Sequence, residues 1–172
     1  VDSTNETTRL FLALWPDPQL RALLAQWRDA WTWPRGASPV RDDKLHVTLH
    51  FLGNLPSARV PELVQGFEVP FTPFQLEFGI AKLWPHGIAV LEPHTEPDEL
   101  LALHARLAEA LANLGLKPED RKFRPHVTMA RRAVGSVVPA SGPLISWDIQ
   151  SYALVESRPG NGGGYTVLKY YT

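Results

Sequence analysis

Between Leu45 and Phe51 the chain alternates strictly: Leu45, Val47, Leu49 and Phe51 are apolar, and His46, Thr48 and His50 lie between them. Side chains at i and i+2 of a strand leave the same face, so this pattern predicts a strand over about 44–52 with an apolar floor and a polar side. The pattern returns further along, where Phe123, Pro125, Val127 and Met129 alternate with Arg124, His126, Thr128 and Ala130. Two strands therefore carry one short sentence, as His46-Val47-Thr48-Leu49 and as His126-Val127-Thr128-Met129.

The remaining elements fall around these two. Leu10 to Trp15 is a continuous apolar run and reads as a buried strand. Asp17-Pro18 then offers an N-cap with proline at the first helical position, opening a helix to about Trp31 with Leu20, Leu23, Leu24 and Trp27 on its apolar face. A shorter helix is expected near 57–66, a strand over 73–84, and a partner strand from Gly87 to Leu91 across a tight turn. Leu100, Leu103, Leu107, Leu111 and Leu114 recur at helical spacing, so Pro97 to Leu114 predicts a helix stopped by Gly115. The segments 147–155 and 164–171 read as two closing strands, with Gly160 to Gly164 as a flexible hairpin.

Strand, helix and motif strand follow in that order in each half, as a duplication would leave them. The fold class expected is α+β: two pseudo-symmetric lobes, each an antiparallel-type sheet with helices packed outside, around a central groove carrying both motifs. The chain is expected to form a single two-lobed domain over 1–172, with the polar start 1–8 as a loose tail.

One His-x-Thr means little, because a polar solvent face produces it readily; two with matching aliphatic flanks are much harder to obtain by chance. If both strands face one cleft, two imidazoles and two hydroxyls converge there. That set suits an anionic phosphodiester. A neutral His takes a proton from water, an imidazolium gives one to the leaving oxygen, and the Thr hydroxyls hydrogen-bond the phosphoryl oxygens, with no metal and no cofactor needed. A zinc site at His46 and His50 fails on geometry. Zinc motifs of that spacing need a helix and a Glu after the first His, whereas a strand separates i and i+4 by about 13 Å. His50 is left as a further residue for the groove.

Composition narrows the rest. Net charge is −1, which argues against a general nucleic-acid coat, yet Arg121, Lys122, Arg124, Arg131 and Arg132 bracket the second motif with no acid among them. Cysteine is absent, no stretch approaches the ~20 apolar residues of a membrane span, and Val1 to Thr8 lacks a signal-peptide core, so a monomer in the cytoplasm is expected. Gly160 to Gly164 leads from strand to strand and is no phosphate loop, and no Gly-x-Ser-x-Gly is present. Among the aromatics, Phe11 and Trp33 are candidates for stacking on an unpaired base.

With Arg9-Leu10-Phe11-Leu12-Ala13-Leu14, Leu45-His46-Val47-Thr48-Leu49-His50-Phe51-Leu52-Gly53, Phe123-Arg124-Pro125-His126-Val127-Thr128-Met129-Ala130-Arg131 and the closing Tyr165-Thr166-Val167-Leu168, the chain resembles the two-histidine phosphoesterases. Within them it is similar to the bacterial and archaeal RNA 2′,3′-cyclic phosphodiesterases, the 2′-5′ RNA ligase family. The resemblance implies RNA ends or nucleotide 2′,3′-cyclic phosphates as substrates, a 2′-phosphate product, and ATP-independent 2′-5′ joining as the reverse type of reaction. It further implies His46 as the acid protonating O3′, His126 as the base activating water, and Thr48, Thr128 and Arg131 as phosphate ligands. Strict alternation counted from His126 disagrees at the last of these, sending Arg132 to the groove and Arg131 to the core. The residues alone leave open a non-catalytic nucleotide or RNA-end binding module, or a phosphodiesterase acting on 2′-5′ oligonucleotides or small cyclic nucleotides.

Overall fold

In the computed structural model, which describes residues 6–160 and 163–172, the two motif strands are neighbours at the middle of one antiparallel sheet. The elements in chain order are β1 (Thr7–Leu14), α1 (Pro18–Ala30), β2 (Ser38–Pro39), β3 (Val47–Pro56), α2 (Val60–Gly66), β4 (Phe74–Trp84), β5 (Ile88–Pro93), α3 (Asp98–Asn113), β6 (Val127–Arg131), β7 (Ile145–Ile149), β8 (Tyr152–Ser157) and β9 (Tyr165–Tyr171). The sheet runs β7-β4-β5-β6-β3-β1-β8-β9, with the short β2 added on β6. It divides evenly at the centre. One half is β3-β1-β8-β9 and the other β6-β5-β4-β7, and the strands β3 and β6 that join them share the single register pair Val47–Val127.

So narrow a seam needs other support, and the helices supply it by crossing over. α1 follows β1 of the first half but packs on β6 and β7 of the second, while α3 follows β5 of the second half and packs on β3 of the first. α1 begins as its sequence dictates: the Asp17 carboxylate accepts the Leu20 N–H at 2.8 Å and Pro18 opens the first turn. Its buried Leu20, Leu24 and Trp27, with Leu100, Leu103, Leu107 and Leu111 of α3, join the apolar floors of both motif strands in one core. α2 is tied down by two tyrosines of the closing strands. Tyr152 donates to the Phe67 carbonyl at 2.7 Å and Tyr171 donates to that of Val64 at 2.7 Å. A smaller cluster of Phe11, Ala13, Ala153 and Val155 lies apart from the main core, with Trp15, Tyr165 and Val167 packed on it.

Three expectations shift. β1 starts at Thr7, where Thr7 and Thr8 pair with Pro56 and Leu55, so the polar start already contributes to the sheet; residues 1–5 lie outside the described residues. The segment 147–155 is not one strand but parts of two, β7 at the edge of one half and β8 inside the other. Burial changes character across the break at Gln150 and Ser151, alternating along β7 and continuous over Tyr152 to Val155, because β8 is flanked by strands on both sides. The helix near 57–66 opens with a 3₁₀ turn over Ser57–Arg59 before α2. Of the Gly160 to Gly164 hairpin, Asn161 and Gly162 lie outside the described residues; its closure is the Arg158 N–H to Gly164 carbonyl bond of 2.9 Å.

Candidate active site

Val47 and Val127 are the middle residues of the two His-x-Thr motifs, and they are the pair that joins the halves. Both are fully buried in the core. Their neighbours leave the opposite face, and continuing the antiparallel register by one residue each way sets His46 beside Thr128 and Thr48 beside His126. The two imidazoles are then diagonal neighbours, a relation that spans about 7–8 Å in a regular antiparallel pair. A local two-fold runs through the seam and relates one motif to the other.

The likeness continues past the motifs, because each strand bulges at the same place. Leu12 and Ala13 of β1 pair with His50 and Thr48, leaving Leu49 as an extra residue; Val90 and Ala89 of β5 pair with Thr128 and Ala130, leaving Met129 extra. A bulge inserts one residue and so reverses alternation beyond it. Burial runs buried, half-buried, buried, buried, exposed in both Val47–Phe51 and Val127–Arg131. Arg131 therefore returns to the groove, and alternation was the wrong guide. Arg132 sits with a φ of 52°, in the left-handed region where the strand ends. In β3 the residue matching Arg131 is Phe51, with the Arg9 guanidinium 4.9 Å from its ring. A second β3 bulge follows at Leu52, and the next residue, Gly53, has a φ of 80°, which favours glycine.

His46, Thr48, His126, Thr128 and Arg131 all line one cavity of about 580 Å³, together with Arg9, Phe11, Lys44, Phe51 and Tyr165. Each imidazole is fixed by its Nδ1, His46 on the Lys44 carbonyl at 2.7 Å and His126 on the Arg124 carbonyl at 2.7 Å. A carbonyl can only accept, so both Nδ1 atoms carry hydrogen and both Nε2 atoms are free to exchange a proton. In the neutral ring, Nε2 of His46 accepts from the Thr48 hydroxyl at 2.8 Å. Burial presses the proton affinity of both rings below the ordinary His value. His46 is pushed down to about 4, with the positive charges of Arg21, His126 and Arg131 adding to burial and the Lys44 carbonyl opposing it. For His126 burial is again the largest cause, opposed by the Arg124 carbonyl and the Glu92 carboxylate.

A second cavity of about 280 Å³ shares Thr48, Phe51 and His126 with the first and extends between Trp84, Phe123 and Arg124. His50 borders this cavity, not the first. It is 5% exposed, bonds the His104 carbonyl through Nε2 at 2.9 Å, and stacks on the His104 ring at 4.0 Å. Of the two aromatic candidates, Phe11 packs 4.9 Å from the His46 ring, whereas Trp33 stacks on Trp31 and lines neither cavity. Sequence reasoning passed over Trp15, Trp84 and Tyr165, whose rings lie 5.6 Å from His46, 4.4 Å from His126 and 5.5 Å from His46. Trp15 had one available signal, its place at the end of the first apolar run; Tyr165 stood within the family pattern without a role attached. The basic run is partly neutralised, Arg121 by Glu119 at 2.9 Å and Arg124 by Glu92 at 2.6 Å.

A repeated strand motif meeting itself across the seam of a two-halved antiparallel sheet defines the class of phosphoesterase to which the sequence pointed. The chain belongs to the 2′-5′ RNA ligase superfamily, whose family model matches residues 15–149. It is 30% identical to an RNA 2′,3′-cyclic phosphodiesterase of Escherichia coli over 96% of both chains, and 32% identical to one of Thermus thermophilus over 95% of this chain and 89% of the other. The crystal structure of E. coli LigT in apo form superposes with a TM-score of 0.85 at 28% identity, covering 98% of this chain and 99% of that one. No helix among the described residues is long and apolar enough to cross a membrane.

Proposed function

We propose that this chain hydrolyses the 2′,3′-cyclic phosphate end of RNA, leaving a 2′-phosphate, by acid-base catalysis between His46 and His126. The observation that carries this reading is the Val47–Val127 register, which sets each motif's His beside the other's Thr in one cavity. Activity as an RNA 2′,3′-cyclic phosphodiesterase accords with the names of the relatives in E. coli and T. thermophilus.

In the reaction, water attacks phosphorus and gives its proton to Nε2 of His126. The P–O3′ bond breaks, and the imidazolium of His46 protonates O3′. The 2′-phosphate and a free 3′-hydroxyl are the products, and the two rings have exchanged protonation states. The division into acid and base follows the family resemblance. Thr48 and Thr128 hydrogen-bond the non-bridging oxygens, and Arg131 offers a planar, permanently charged fork to the same group. With an RNA 5′-hydroxyl in place of water, the same steps form a 2′-5′ linkage. The catalytic set is divided between the halves, so we treat them as one working domain.

The test is turnover of an RNA ending in 2′,3′-cyclic phosphate by the purified protein in EDTA, with the product phosphate located by enzymatic and NMR analysis. A 2′-phosphate formed in EDTA supports the proposal. Tight binding without turnover identifies a binding module instead, and turnover confined to 2′-5′ oligonucleotides or small cyclic nucleotides moves the substrate assignment.

A further inference from the structure

Behind each imidazole stands an indole; a cation alone lies against the first indole, and a buried carboxylate with its paired cations lies against the second. On the first side the Arg21 guanidinium lies 5.0 Å from the ring of Trp15, the indole that packs on His46. Arg21 is held there by the carbonyls of Asp42, Leu45 and Pro16, at 2.7, 3.1 and 3.2 Å. On the second side the Trp84 indole, which packs on His126, donates its Nε1–H to Glu92 at 2.8 Å. Glu92 is only 8% exposed and also pairs with Arg124 at 2.6 Å and Lys82 at 3.2 Å.

Burying a carboxylate this far is costly unless it is paired. Glu92 is paired on three sides, and the phosphate chemistry does not use it. Its partners do bear on the site. Arg124 supplies the carbonyl that fixes Nδ1 of His126, and its guanidinium lies 4.5 Å from the Trp84 ring. Glu92 thus holds both the plate on which His126 rests and the segment that orients it.

We propose that Glu92 is a positioning residue for His126, acting through Trp84 and Arg124, and that with Arg21 behind His46 it sets which imidazole of the free enzyme takes a proton first as the pH falls: His126, with His46 still neutral. This rests on reading the two rings as an acid-base pair. The charged and titratable groups facing His46 are Arg21 from α1, Arg131 from β6, His126, and the Tyr165 ring from β9, with Arg9 from β1 and Lys44 on the wall of the same cavity. Arg21 and Arg131, and His126 once it is protonated, oppose a proton on His46. Facing His126 are Arg131, Arg124, His46 and Glu92 from β5, with Glu119, Arg121 and Lys122 further along the cavity it borders; Glu92 is the carboxylate whose charge favours a proton on His126. Burial lowers both rings, taking His46 to about 4. Ring opening needs the proton on His46, so the phosphodiester anion has to draw it across on binding. In the opposite direction, where O3′ attacks a 2′-5′ linkage and the 5′-oxygen leaves, the singly protonated free enzyme already holds its proton on the side of the departing group.

The experiment is a pH titration of the imidazole ¹⁵N and ¹³C signals in the folded, substrate-free protein, which does not depend on whether any RNA is turned over. In the unaltered protein His126 is expected to titrate above His46. Glu92→Gln keeps the shape and the acceptor for Trp84 but removes the charge, and should lower the His126 midpoint by on the order of half a pH unit. Arg124→Gln removes the counter-charge and should move that midpoint upward. In the cyclic-phosphate assay the limb of the kcat profile that follows His126 should move with its midpoint in Glu92→Gln while KM stays within about twofold, since Glu92 acts on proton affinity and not on uniform binding. Opposite movements in the two variants are not expected from a merely structural role. A His46 midpoint above that of His126, or equal or same-direction shifts in the two folded variants, overturns the proposal.

Discussion

Two imidazoles in the same His-Val-Thr motif sit in different surroundings, and the pH dependence of the reaction should show it. The free enzyme governs kcat/KM, and both rings lie below the ordinary His value of about 6.5, with His46 at about 4. Both limbs of the kcat/KM bell should therefore fall below 6.5, as macroscopic constants of the coupled pair. Once bound, the phosphodiester anion stabilises an imidazolium, so the kcat bell should lie at higher pH than the kcat/KM bell. A rate that climbs steadily into alkaline solution would point to another base. Arg131 and its neighbour give a second test at this scale. Arg131→Lys keeps the charge and loses the fork, and should lower kcat/KM by about tenfold or more, while Arg132→Lys should change it by less than about twofold. Loss in the Arg132 variant with an active Arg131 variant would show that the bulge does not turn the strand as described.

Among the elements, what was legible in the sequence was periodicity, and what was hidden was wherever pairing interrupts it. The alternation of Leu45 to Phe51 gave the face shared by His46 and Thr48, and the leucine spacing from Leu100 to Leu111 gave α3. Met129 carries no mark of a bulge, because the extra residue is defined by the partner strand β5 and not by its own side chain. The break at Gln150 and Ser151 was hidden for a similar reason, since two short strands that belong to opposite halves read as one run. α2 shows how local a contribution can be. Its anchoring by Tyr171 lies away from the cavity, so Tyr171→Phe should cost about 1–3 kcal/mol, the range for stranding a carbonyl, and leave kcat unchanged. Urea unfolding and the cyclic-phosphate assay on the same preparation would check both halves of that expectation.

Across the whole molecule, the duplicated order of strand, helix and motif strand predicted two halves around one groove, and the helices that cross between the halves are what no reading of either half alone could supply. Burial pushes His46 and His104 each down to about 4 in the folded chain, against about 6.5 when unfolded. The unfolded chain therefore binds more protons between those values, so stability should be full above pH 6.5 and fall as pH drops toward 4. Thermal unfolding across that range should show Tm declining, and His104→Phe should flatten the decline; a level Tm in the parent protein would contradict the shifts. The central claim is that the two halves contribute one acid-base pair. A double-mutant cycle on a cyclic-phosphate-ended RNA, comparing His46→Ala, His126→Ala and both together, tests it most directly. Each single change should lower kcat by roughly 10²–10⁴, and the double variant should be little worse than either, because half of a pair does not work alone. Near-normal turnover in either single variant, or losses that multiply in the double, would contradict it.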